Sequence, residues 1–113
     1  KCSKNQKYRI IKGFYKDTIE NKTTVDLNIE KARVVMIDCD LKESTKLALE
    51  FIKPAIQEGT IILFDDYNFF KGNKDKGEYG AFSTFQKKYP KILFRRIFDY
   101  GYSSRAFIAY RIN

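Results

Sequence analysis

Ala32-Arg33-Val34-Val35-Met36-Ile37-Asp38-Cys39-Asp40 is the stretch that decides the fold. From Ala32 to Ile37 the residues are β-prone and almost continuously apolar, without strict polar alternation. A run of this kind reads as a strand covered on both faces, as in a parallel sheet. It stops abruptly at two acids, Asp38 and Asp40.

Toward the C-terminus a helix follows at once. Thr45, Ala48, Leu49, Ile52 and Ile56 recur at helical spacing and form one apolar face. Asp40 and Glu43 are spaced like an N-cap and its N3 partner, Pro54 disturbs the last turn, and Glu58-Gly59 closes it. Thr60-Ile61-Ile62-Leu63-Phe64 is a second apolar strand, again ending in acids, Asp65 and Asp66. After a loop from Tyr67 to Gly77, a second helix is predicted over Glu78 to Lys88, with Phe82, Phe85, Gln86 and Tyr89 on one side and Pro90 ending it. Ile92 to Asp99 and Arg105 to Ile112, linked through Gly101, predict an antiparallel hairpin. Upstream, Tyr8 to Phe14 reads as a short strand with a turn at Gly13. A polar stretch to Asn28 follows, in which Asp17-Thr18 caps a short turn.

Strands alternating with helices imply an α/β fold with parallel strands, here bordered by a C-terminal antiparallel hairpin. No repeat or linker divides the chain, so residues 1–113 are read as one domain.

Composition narrows the chemistry. With 43% hydrophobic and 16% aromatic residues the chain can build a core, and its 32% charged residues form no low-complexity tract. No apolar run approaches the roughly 20 residues that span a bilayer, and no signal peptide is visible, so no membrane partner is expected and the cytoplasm is the expected compartment. There is no His, and the two cysteines, Cys2 and Cys39, read as reduced thiols. That combination excludes zinc fingers and His-based triads and leaves oxygen ligands for any metal, which suits Mg²⁺ or Ca²⁺. The net charge of +8 comes from 22 Lys and Arg scattered along the chain against 14 acids. It reads as a solvated basic surface, able to attract an anionic small molecule such as a nucleotide sugar, rather than as a nucleic-acid site.

In open α/β sheets, ligands bind beyond the carboxyl ends of the strands. Both central strands end in acids there. Asp38 and Asp40, two apart on an extended segment, would point the same way, and if the strands are neighbours Asp65 and Asp66 join them. Carboxylates crowded in this way need a cation or a shared proton, and a hard divalent ion is the simplest compensation. For each pair alone a plainer role is open: Asp40 as a helix N-cap, Asp65-Asp66 as a loop start.

These residues also carry a family resemblance. Val35 to Thr45 resembles the IDxDLYEST segment of the macrocin O-methyltransferase (TylF type) family, and Ile61 to Tyr67 resembles its GGxIIxDDY segment. Lys12 to Ile19 is similar to the upstream KGWFxDTLP segment, and Gly77-Glu78-Tyr79-Gly80-Ala81 stands where the family begins its next helix. Together they span Tyr8 to Tyr89 in the family's order. The resemblance implies a Rossmann-like methyltransferase sheet and Mg²⁺-assisted methyl transfer from S-adenosylmethionine to a hydroxyl, often on a sugar. Carried over residue by residue, it makes Asp38, Asp65 and Asp66 resemble the metal ligands and Asp40 the general base, with Tyr67 lining the acceptor pocket. The plainer role for Tyr67 is an aromatic packed at a strand end.

The sequence departs from the pattern at Lys42 (usually Tyr), Cys39 (frequently Gly) and Phe64 (small or aliphatic). It also has no Gly-rich cofactor loop; Gly13 is isolated. The segment therefore reads as the C-terminal part of the methyltransferase fold, starting at its third strand, with the cofactor-binding residues N-terminal to it. A sheet edge left open there would invite association into homo-oligomers. Two other readings remain in view. One is a haloacid-dehalogenase-like phosphatase, for which one intervening helix leaves too little room. The other is a basic nucleic-acid-binding module, whose binding would be salt-sensitive and indifferent to metal.

Overall fold

The computed structural model describes residues 8–113. Its elements are helix α1 (Tyr15–Thr18), strand β1 (Ala32–Ile37), helix α2 (Lys42–Ile52), strand β2 (Ile56–Phe64), helix α3 (Gly77–Lys88) and strands β3 (Ile92–Tyr100) and β4 (Ser104–Ile112). Single 3-10 turns cover Thr24–Leu27 and Lys53–Ala55. The four strands form one sheet in the order β1-β2-β4-β3. β1 and β2 run parallel, with Ile37 opposite Phe64, while β4 is antiparallel to both β2 and β3. The expected α/β architecture, a parallel pair bordered by a terminal hairpin, is the observed one.

Helices α2 and α3 cover one face of this sheet. Ile62 and Phe64 of β2 and Phe107 and Ala109 of β4 are buried against Ala48 and Leu49 of α2 and Ala81, Phe82 and Phe85 of α3. Phe82 lies at the centre, its ring centroid 4.8 Å from Phe64, 4.9 Å from Phe94 and 4.7 Å from Phe107. At their far ends the two helices are tied by Glu50, which accepts from Tyr89 Oη at 2.6 Å and from Lys88 Nζ at 3.0 Å.

Four expectations are corrected. First, β1 is not covered on both faces: Val35 and Ile37 turn inward, but Val34 and Met36 are 59% and 58% exposed. Among the described residues both long helices pack on the other side, and apolar composition alone does not say how many faces have a cover. Second, Tyr8 to Phe14 is not a strand. β-propensity supplies no ladder partner, and this segment pairs with no strand among the described residues. Third, Pro54 ends the helix earlier than the apolar spacing suggests. Ile56 therefore belongs to β2, which starts four residues before the expected Thr60.

That early start needs an irregularity between the Ala32–Ile56 and Val34–Ile61 pairs. Gly59 takes a positive φ of 96° there. The buried Thr60 hydroxyl closes the bulge by accepting from the Gln57 amide at 2.9 Å and donating to the Ala32 carbonyl at 2.6 Å. Fourth, Asp40 does not cap α2: the N-cap is Leu41, which makes no side-chain cap bond. Cys39 is a free, half-buried thiol; Cys2 lies outside the described residues.

Candidate metal and active site

The parallel pairing brings the ends of β1 and β2 side by side, and the ladder continues one step further as the Asp65 amide donates to the Ile37 carbonyl at 3.0 Å. The two acid-bearing loops therefore leave the sheet together. Asp38, Asp40 and Asp66 each bring a carboxylate oxygen into one group whose members all lie within 4.8 Å of one another. The convergence of Asp38 and Asp40 does not come from an extended segment. Asp40 has φ 59°, a left-handed conformation that Asp tolerates better than most residues, and the turn it makes redirects the chain into α2.

Crowding leaves an electrostatic signature. A hydrogen bond shared with Asp40, then partial burial, the Asp40 charge and a further contact with Asp38 push the Asp66 carboxyl up to about 7. Without a cation, the group eases its repulsion by sharing a proton near neutral pH. Asp65 stands differently. Its carboxylate is outside the converging group, and its backbone carbonyl accepts from the Ser104 hydroxyl at 2.5 Å. Its charge acts on the Tyr100 phenol, whose pKa is raised first by burial and then by Asp65. Consecutive residues leaving a strand point in different directions, so only one of Asp65 and Asp66 faces the β1 loop.

Tyr67 is 5% exposed. Its ring stacks on Tyr79 at 4.4 Å, contacts Phe64 and Phe107, and receives the Arg105 guanidinium 5.2 Å from its centroid. Burial raises its phenol above the ordinary range. In this arrangement it is a core aromatic at a strand end. On the other flank of the site, Cys39 Sγ and Tyr15 Oη are hydrogen-bonded at 3.3 Å. That bond, with partial burial, lifts the Tyr15 phenol to about 12, while burial raises the Cys39 thiol.

The residue that sequence reasoning missed is Glu78. In the sequence it is only an acid in the first turn of a helix, a common place for one. In the structure it is completely buried. Oε2 accepts from the Cys39 amide at 3.1 Å and Oε1 from the Asp66 amide at 2.9 Å. Burial raises its pKa, against the pull of the hydrogen bonds from the Cys39 and Asp66 amides. No pattern in the chain marks it, because the two loops it joins become neighbours only when the sheet forms.

The donor set fits a hard divalent cation: oxygens only, convergent, and mutually repulsive without a positive charge. For S-adenosylmethionine the described residues offer no Gly-rich strand-loop-helix.

Sheet order, parallel strand ends and acids at the carboxyl edge define an open α/β sheet with an acidic ligand edge. The chain superposes on the solved structure of the O-methyltransferase NovP with a TM-score of 0.66 at 25% identity, covering 88% of this chain and 36% of that one. The apo structure of CalS11, a TDP-rhamnose 3'-O-methyltransferase of calicheamicin biosynthesis, shares the fold with a TM-score of 0.55 at 20% identity, over 87% of this chain and 40% of that one. The chain thus spans well under half the length of either. No curated protein sequence matches it. The family model of macrocin-O-methyltransferase (TylF) matches residues 3–88, and the chain belongs to that family. Among the described residues no helix is long and apolar enough to cross a membrane.

Proposed function

We propose that this chain forms the metal-binding and acceptor-activating part of an S-adenosylmethionine-dependent O-methyltransferase. Its acceptor would be a hydroxyl of a sugar or similar small molecule. The observation that carries the proposal is the convergence of Asp38, Asp40 and Asp66 at the carboxyl edge of the parallel strands. Family membership and the 25% identity to NovP support the reaction class. The methyl donor would be held by residues other than those described, and the acceptor by surrounding loops.

Asp38 and Asp66 belong both to the converging group and to the ligand set that the family resemblance implies, so they are the primary ligands in this proposal. A Mg²⁺ ion held by them would polarise the acceptor hydroxyl and lower its pKa, a needed effect because a sugar hydroxyl is a poor nucleophile near pH 7. Asp40, on its left-handed turn beside them, takes the hydroxyl proton as general base. Reacting atoms must come within about 3–3.5 Å in line, so the sheet's main contribution is to hold these carboxylates in fixed relative positions.

The proposal is tested by titrating the protein with Mg²⁺ calorimetrically and by assaying methyl transfer from labelled S-adenosylmethionine to sugar acceptors. Binding lost in Asp66→Ala and retained in Asp26→Ala, a distant exposed acid, is the expected result. Mg²⁺ binding equal in Asp66→Ala and the parent would remove the metal site, and with it the mechanism.

A further inference from the structure

We infer that Glu78 is the positioning residue of this site, a buried carboxylate that sets the β1 loop and the β2 loop at a fixed distance from each other. The inference rests on the preceding reading for the purpose of the site, though not for the contact itself. Glu78 has no solvent exposure, and its two oxygens are divided between two backbone amides. One amide belongs to Cys39, between Asp38 and Asp40; the other belongs to Asp66 itself. Every acid of the converging group is thus on, or next to, a residue whose backbone Glu78 holds.

The chemistry of the side chain suits this task. An ionised carboxylate only accepts, with two oxygens, so it can satisfy two N–H donors at once. Such bonds are charge-assisted and stronger than neutral ones. A glutamine has one accepting oxygen and one donating nitrogen, so one of the two amides would face a donor. Burying a carboxylate is otherwise unfavourable, and adding a negative charge beside three others makes it more so. A site that needed only helix-end packing would be served better by an apolar residue. The backbone around Glu78 is built for close approach as well. Gly77 has φ 59°, and a Cβ there would come within 2.6 Å of the Phe70 ring and 3.2 Å of the Asp40 carbonyl oxygen. The start of α3 is therefore pressed directly on the Asp40 turn.

Glu78 is not itself in the group of oxygens that converge for a metal. Its effect on the ion is through the loops. In the wild-type protein, scalar couplings across the hydrogen bonds from the Cys39 and Asp66 amides to the Glu78 carboxylate carbon test the bridge without any variant; their absence overturns the inference. In Glu78→Gln, hydrogen exchange at Cys39 and Asp66 should quicken while the Val35 and Ile62 amides in the strands stay protected. The Mg²⁺ dissociation constant should rise about tenfold, the scale on which residues supporting metal ligands act. Unchanged exchange at both amides in a folded Glu78→Gln protein, or unchanged Mg²⁺ affinity beside a wild type that binds, refutes the assignment. Were the wild type itself to bind no Mg²⁺, the proposed function would fall, and the couplings and exchange would still decide the role of Glu78.

Discussion

Metal binding at the Asp38, Asp40 and Asp66 group should be coupled to proton release near neutral pH. The Asp66 carboxyl is pushed up to about 7, chiefly by its hydrogen bond with Asp40. A cation must displace that proton, so apparent affinity falls as the protonated fraction grows. With one group titrating near 7, the Mg²⁺ dissociation constant should be about tenfold weaker at pH 6 than at pH 8, and about a hundredfold weaker at pH 5. Close to one proton should leave per ion bound at pH 6, and almost none at pH 8. The sign for stability is fixed by the same shift. The folded pKa lies above the ordinary 3.8, so this group's contribution to the metal-free protein is fully present below about 3.8 and is lost as pH rises through about 7. Mg²⁺ should therefore raise the melting temperature more at pH 8 than at pH 6. Asp40→Asn removes the largest cause of the shift and should flatten the dependence between pH 6 and 8. Calorimetry in two buffers of different ionisation heat counts the protons directly. An affinity constant from pH 5 to 8, with no buffer-dependent heat, would refute the account of a shared proton.

Asp65 and Asp40 can be told apart by what their loss changes: Asp40→Ala should lower the methyl-transfer rate, and Asp65→Ala should leave Mg²⁺ affinity within about twofold, since its carboxylate is outside the converging group. A strong loss of Mg²⁺ affinity in Asp65→Ala would instead favour the family-derived ligand set. Phe82→Ala empties a fully buried site among three other rings and should cost about 3–5 kcal/mol in a urea unfolding titration. At Gly80 a Cβ would lie 2.6 Å from the Asp75 carbonyl carbon and oxygen, so Gly80→Ala should destabilise by about 1–3 kcal/mol despite alanine's better helix propensity. An equal or higher melting temperature would show that the Asp75 turn can yield.

Much of this molecule was legible in the chain because the relevant information is local. Apolar runs at Val34 to Ile37 and Ile61 to Phe64, helical spacing at Thr45, Ala48 and Leu49, and Gly101 between two strand-like segments each reflect short-range periodicity and turn chemistry. The acids at the strand ends were visible for the same reason, since a parallel pair must expose both carboxyl ends at one edge. What depended on neighbours far along the chain was not legible. Only the assembled sheet shows that Asp66 rather than Asp65 faces Asp38 and Asp40, because that choice depends on where the β2 ladder ends against Ile37. Only the packing of α2 and α3 on one face explains why Val34 and Met36 are exposed and why Tyr67 is a core residue, and only the β1–β2 register explains the bulge at Thr60. Glu78 is the extreme case. Its partners are 39 and 12 residues away in sequence, and their amides come within reach of one carboxylate only after both strands and α3 are in place.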